Sequence, residues 1–220
     1  MKIPFDIEKL TDWHYNPKES SKDDLKAVGN ALDNIVISKV DAQVAKLIKN
    51  PYKMGGIKRI HIGDPALDVN NPTIGSRAKK MREVGYTDDA HFIEFNNDVL
   101  DEFAKELKDR FNLAYEHHCT IIVPPGQCMP AHGDTYSYLM KMMSKEHPKV
   151  KYDLKANSRR YMVMLTDWSW GQSFGAGNSI SWQWSTGRIY TWGHKYLHWC
   201  SNAGFTPIVF FEITGLELKK

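Results

Sequence analysis

From Cys119 to the last apolar run, the chain is cut into short stretches by glycine and proline. The stretches recur at roughly 8–15 residue spacing, the punctuation of strands joined by turns. Pro124-Pro125-Gly126 and Pro130 make a turn into Ala131-His132-Gly133-Asp134. Arg159 to Trp168 reads as a strand, and Gly171-Gln172-Ser173-Phe174 as a turn. Trp182 to Trp184 reads as a short strand, followed by a turn at Gly187 and a strand to Tyr190. His198 to Asn202 follows, and Pro207 to Gly215 closes the unit as an apolar strand. Residues 139–158, with Met140, Met142, Met143 and several lysines, read as an insertion between barrel strands. The insertion follows the Asp134 segment directly, so it is expected near any pocket there.

Within this all-β unit, His132 and Asp134 stand at i and i+2. On a strand that spacing puts both side chains on one face, so both can bind one metal ion. A distant histidine brought alongside by strand pairing would complete two imidazoles and one carboxylate. Such a facial triad keeps metal positions open and is the donor set of non-heme Fe(II) oxygenases. His117 and His118 are adjacent and face opposite sides of a strand, so they read as core or surface histidines. The three cysteines, Cys119, Cys128 and Cys200, are an odd set read as free, buried thiols. Their spacing to His132 and His198 matches no usual zinc pattern.

The first half is organised differently. Leu25, Val28, Leu32, Ile35 and Val36 follow helical spacing after Asp23-Asp24. Val40 to Ile48 is a second helix, stopped at Asn50-Pro51. Gly56 to Gly63 alternates as a strand does. Residues 64–88 read as a loop long enough to act as a lid. Asn97 opens a helix to Phe111 whose apolar stripe runs through Val99, Leu100, Phe103, Ala104 and Leu107. Leu113 to Val123 then reads as the first barrel strand.

Composition narrows the class. With 42% hydrophobic and 25% charged residues the chain reads as globular and able to bury a core. A net charge of +3 argues for neither nucleic acid nor a membrane surface as partner. No apolar run is long enough to span a membrane. Met1-Lys2-Ile3-Pro4-Phe5-Asp6 has no signal-peptide core, so a cytoplasmic protein is expected. Six of the seven tryptophans, all but Trp13, fall in the second half. Most are expected in the core, with one or two lining the site.

The order of the pieces between roughly residues 119 and 215 resembles the 2-oxoglutarate/Fe(II)-dependent dioxygenase superfamily, in particular its prolyl-hydroxylase-like and aspartyl-hydroxylase-like branches. The shared pattern is a proline/glycine turn into His132-Gly133-Asp134, a strand opening on arginine, Trp168 to Gly171, and then His198-Trp199-Cys200-Ser201-Asn202-Ala203-Gly204 before a last strand. The resemblance implies an α+β protein with a double-stranded β-helix (jelly-roll, cupin-like) core and supporting N-terminal helices. Residues 1–112 would form the support and lid, and 113–220 the metal-binding core, in one compact domain. It makes His132, Asp134 and His198 the Fe(II) ligands, with His194 the second choice for the distal histidine. Asn202 is then expected at the cofactor, bracing the distal strand or hydrogen-bonding near His198. The implied activity hydroxylates an unactivated C–H of a peptidyl side chain or small metabolite. The cosubstrate would be 2-oxoglutarate, released as succinate and CO2.

The pattern departs in one place. The family sets a cation on the last strand, about eight to ten residues past the distal histidine, to hold the far carboxylate of 2-oxoglutarate. Here Thr206-Pro207-Ile208 occupy those positions. Arg160 is the expected substitute, because alternation aims it inward with Met162 and Met164 while Arg159 faces out. Arg188 and Lys195 follow it. Two alternatives stay open: a metal-binding cupin-type enzyme that does not use 2-oxoglutarate, and a non-catalytic β-barrel binding module.

Overall fold

The computed structural model describes residues 40–60, 91–96, 100–132, 137–146, 157–176, 179–193 and 198–218. The strands there are β1 (Ile57–Ile60), β2 (His91–Asn96), β3 (Leu113–Val123), β4 (Gln127–His132), β5 (Ser158–Met164), β6 (Gln172–Ala176), β7 (Ser179–Ser181), β8 (Ile189–Gly193), β9 (His198–Asn202) and β10 (Ile208–Glu217). The α-helices are α1 (Asp41–Lys49), α2 (Asp101–Phe111) and α3 (Ser137–Glu146).

Two antiparallel sheets carry the fold. The major sheet runs β1-β2-β3-β10-β5-β8, and the minor sheet β4-β9-β6-β7. Counting the barrel strands from β3, the sheets read 1-8-3-6 and 2-7-4-5. This is the order of an eight-stranded jelly roll. The molecule is the double-stranded β-helix with supporting helices that its sequence pattern implies.

Alternation along β10 divides the core. Val209, Phe211 and Ile213 face outward, under the helices, with Ile122, Tyr161 and Val163. Ile208 and Phe210 face inward, between the sheets, with Ile121, Val123, Met162, Met164, Phe174 and Tyr190. Both faces are covered, so β10 is buried almost throughout. That is why it reads as a continuous apolar run.

The outer face is capped by α1 and α2. Val44 and Leu47 of α1, and Leu100, Phe103, Ala104 and Leu107 of the α2 region, join the outer cluster. Phe103 meets Phe211 edge to face at 5.3 Å, and Phe111 stacks on Tyr161. Leu100 has non-helical φ −133°, so α2 begins at Asp101 rather than at Asp98. It ends at Asn112 in the left-handed region (φ 49°), a C-cap that asparagine tolerates. The Asn112 side chain donates to the Leu218 carbonyl at 2.8 Å, tying the helix end to the end of β10.

Three local readings differ from the sequence pattern. Gly171 is a turn residue with φ 87°, but Gln172 to Phe174 belong to β6. The turn runs from Ser169 to Gln172, closed by the Gln172 N–H on the Ser169 carbonyl, with Trp170 and Gly171 at its centre. Trp182 to Trp184 are not a strand; Gln183 takes φ 56° in an irregular connection to Gly187. His91 to Asn96, which shows no alternation because both faces are covered, is β2 and extends the major sheet along with β1. The expected helix at 23–36 and the loop at 64–88 lie outside the described residues.

Candidate metal centre

The two imidazoles proposed as ligands come from neighbouring strands. β4 pairs with β9, and His132 stands directly opposite His198. Between the pairs Met129–Cys200 and His132–His198, β4 uses three steps where β9 uses two. The extra residue is a β-bulge, and Pro130, which has no N–H for a ladder, lies in it. Plain alternation would have put Ala131, not His132, across from His198. Directly opposed residues have Cα atoms about 4.5–5.5 Å apart, close enough for two imidazoles to share one ion.

His198 is buried, at 2% exposure. Its other neighbour across the sheet is the small Ala176. Asp134 lies outside the described residues, as do His194 and Lys195. Among the described residues no group of three His, Cys, Asp or Glu side chains is assembled for a metal. The donor chemistry still fits a divalent ion such as Fe(II): two histidines in one cross-strand pair, with a carboxylate two residues beyond the first.

The expected carboxylate-binding cation is at the same end. One inner row of the major sheet runs His117, Thr214, Arg160 and Trp192, each directly across from the next. The Trp192 ring lies 5.1 Å from that of His198, which joins this row to the histidine pair. Arg160 is inward-facing with Met162, as alternation requires. Its Nε donates to Thr214 Oγ1 at 2.9 Å and its Nη1 to Glu212 Oε2 at 3.1 Å. Glu212 also accepts a long contact from Cys119 Sγ at 4.0 Å. Arg159 faces the other way, 3.6 Å from Glu217. Arg188 sits at the opposite end, its carbonyl bonded to Met164.

Asn202 takes the bracing role. Its Nδ2 donates to the carbonyls of Val123 and Thr206, and its Oδ1 accepts from the Gly204 N–H. These bonds tie the two sheets together at the end of β9 away from His198. The side chain is occupied there and is not brought to the histidine pair.

His117 and His118 do face opposite sides. His118 bonds Asp101 of α2 at 3.2 Å on the outer face. His117 faces inward, where burial and then the Arg160 guanidinium hold its pKa below the usual histidine value. None of the three cysteines is in a disulfide; burial pushes the Cys128 and Cys200 thiols up, so those two are not prepared as thiolate ligands.

In α3, Leu139 and Met143 bury against Leu216 and Tyr115, while Met140 faces solvent. The methionines of this insertion therefore divide between core and surface. Glu212 and Thr214 belong to no motif of the sequence pattern, and Trp192 is one of six tryptophans in the second half. A glutamate and a threonine in the middle of an apolar strand are the signal that could have found the first two, since buried glutamate is rare unless paired.

No protein-family model matches the chain, and no curated protein matches it. Solved structures do resemble it. A prolyl hydroxylase from Trichoplax adhaerens, in complex with a hypoxia inducible factor oxygen degradation domain peptide fragment, is 12% identical, with a TM-score of 0.48 over 85% of this chain and 82% of that one. A predicted oxalate decarboxylase from Thermotoga maritima is 10% identical, with a TM-score of 0.36 over 58% and 82%. The Cupin_2 domain of an XRE family transcriptional regulator from Enterobacter cloacae is 10% identical, with a TM-score of 0.35 over 56% and 95%. These are likenesses of fold. The class is set by the strand order of this chain itself: a double-stranded β-helix, in which His132 and His198 are register partners on neighbouring strands of the minor sheet.

Proposed function

We propose that this protein is an Fe(II)- and 2-oxoglutarate-dependent oxygenase. Its substrate would be a small molecule or a peptide with an unactivated C–H. The observation that carries the reading is the direct cross-strand pairing of His132 and His198. The bulge in β4 makes these two residues register partners, which supports a shared ion.

His132, Asp134 and His198 would hold the metal, with both imidazoles neutral and the carboxylate ionised. Fe(II) with 2-oxoglutarate, when bound, supplies oxygen activation with release of succinate and CO2. Arg160 and Thr214 would hold the far carboxylate of the cosubstrate. Phe174, Tyr190, Trp192 and Met162 belong to the inner apolar cluster and would keep the reacting end largely dry.

One observation favours a second reading, a metal-dependent cupin-type enzyme that does not use 2-oxoglutarate. Arg160 already pairs with the buried Glu212, which offsets the charge a cosubstrate carboxylate would need.

The test is anaerobic Fe(II) binding followed by succinate release with 2-oxoglutarate and air. The oxygenase reading expects one metal per chain, succinate formed by the wild type, and loss of both on His132→Ala or His198→Ala. Metal bound at the same pair with no succinate under any substrate panel would move the assignment to the second reading. Unchanged metal affinity in both histidine variants would remove the centre altogether.

A further inference from the structure

Trp192 carries an inference that rests on the oxygenase reading and deepens it. Its side chain is 2% exposed on the inner face of β8. The ring lies 5.1 Å from His198 and 5.5 Å from Phe174. Among the described residues its Nε1–H has no hydrogen-bond partner. Two other indoles behave differently: the half-buried Trp168 donates its Nε1–H to the Gln172 carbonyl, and the buried Trp184 to the Thr166 carbonyl. Buried indole donors ordinarily find an acceptor. A phenylalanine would fill the same apolar slot without an orphaned donor.

The position of this donor says what it would meet. Trp192 is directly across β5–β8 from Arg160, and Arg160 is directly across from Thr214. Indole, hydroxyl and guanidinium thus stand side by side on one inner row, with the indole against the His198 ring. A neutral N–H and a cation together suit an oxygen-rich anion better than an apolar ligand.

We propose that Trp192 is a ligand-positioning residue whose Nε1–H donates to an oxygen of the small oxo-acid bound between His198 and Arg160. Because indole does not titrate in the working range, its share of the affinity is independent of pH. The donor orients the ligand along the Arg160 row; it holds neither the metal nor the transferred proton.

The experiment uses the full chain, loaded with Zn(II) as a diamagnetic, redox-silent metal and labelled with ¹⁵N. The Trp192 indole N–H resonance is assigned by its loss in Trp192→Phe, or in Trp192→Tyr if the first variant does not fold. Adding 2-oxoglutarate should move that resonance downfield in the wild type. The dissociation constant for 2-oxoglutarate should rise about tenfold in the variant, the size of one hydrogen bond to a charged acceptor. Zn(II) affinity should not change. If the wild type binds 2-oxoglutarate but the resonance stays in place and the variant binds equally well, a buried water satisfies the indole. The inference then falls while the oxygenase reading stands. If the wild type binds no 2-oxoglutarate with either Zn(II) or Fe(II), both fall.

Discussion

Glu212 and Arg160 set the residue-scale energetics of the inner row. Their side chains are 7% and 14% exposed, and 3.1 Å apart. A buried charge pair of this kind contributes little net stability, but removing one partner leaves the other desolvated and alone. Arg160→Ala should therefore cost about 3–5 kcal/mol of unfolding free energy, and Arg160→Met with Glu212→Leu should recover most of it. Urea denaturation of the wild type, Arg160→Ala, Arg160→Met, Glu212→Leu and the double variant checks this; costs of the two matching single variants that simply add in the double would show that the two charges are not coupled. The same row has a pH signature. In the folded state His117 is held below its ordinary pKa by burial and by Arg160, so the unfolded chain takes up the proton first. Its contribution to stability is complete above about pH 6.5, the unfolded histidine value. It is lost as pH falls from there through the lowered folded value. His117→Gln should flatten the melting temperature between pH 7 and pH 5 relative to the wild type, measured in parallel scans.

At the scale of elements, α2 and the minor sheet depend on close contacts that single substitutions can break. Leu107 is fully buried beneath α2 and anchors the helix to β10 and β5 through the outer cluster. Leu107→Ala should destabilise the protein by about 2–5 kcal/mol, transfer and cavity terms together. Metal affinity should be unchanged, because the lost contact lies on the face of the major sheet turned away from the histidine pair. In the minor sheet, Trp199 lies over Gly175, where a Cβ would come within 2.0 Å of the indole ring. The two residues are directly paired across β6–β9. Gly175→Ala must push Trp199 aside, and Trp199 adjoins His198 in the chain. We expect weaker metal binding together with lower stability, and partial rescue of both by a second substitution, Trp199→Val. Calorimetric metal titration of the single and double variants decides it; native affinity in Gly175→Ala would show that β9 absorbs the displacement.

For the whole molecule, the proposed centre would lie between strands distant in sequence, β4 and β9, and would couple metal binding to closure of the jelly roll. A ligand that binds only the folded form adds RT ln(1 + [L]/Kd), about 2.7 kcal/mol at a hundredfold excess over Kd. Fe(II), or Mn(II) in air, should raise the melting temperature in a concentration-dependent way. The shift should vanish in His198→Ala, whose own unfolding remains cooperative because the inner apolar cluster is intact. A metal-dependent shift that persists in His198→Ala would place the metal elsewhere.

Much of this was written in local pattern. The helices α1 and α2, the strands β3, β5, β9 and β10, and the jelly-roll class are visible in the periodicity and in the order of turns and motifs. Periodicity is a local property: burial on one face or two leaves its mark on neighbouring residues. His132 and His198 were legible as residue types in a known pattern, and so was the inward face of Arg160. Their arrangement was not. The bulge at Pro130–Ala131 that puts His132 across from His198, the Glu212 carboxylate that meets Arg160, and the indole of Trp192 set against His198 all depend on strand register between distant segments. Alternation along a strand determines which residues share a face. Only the pairing of strands in the closed barrel decides which side chain each of them meets.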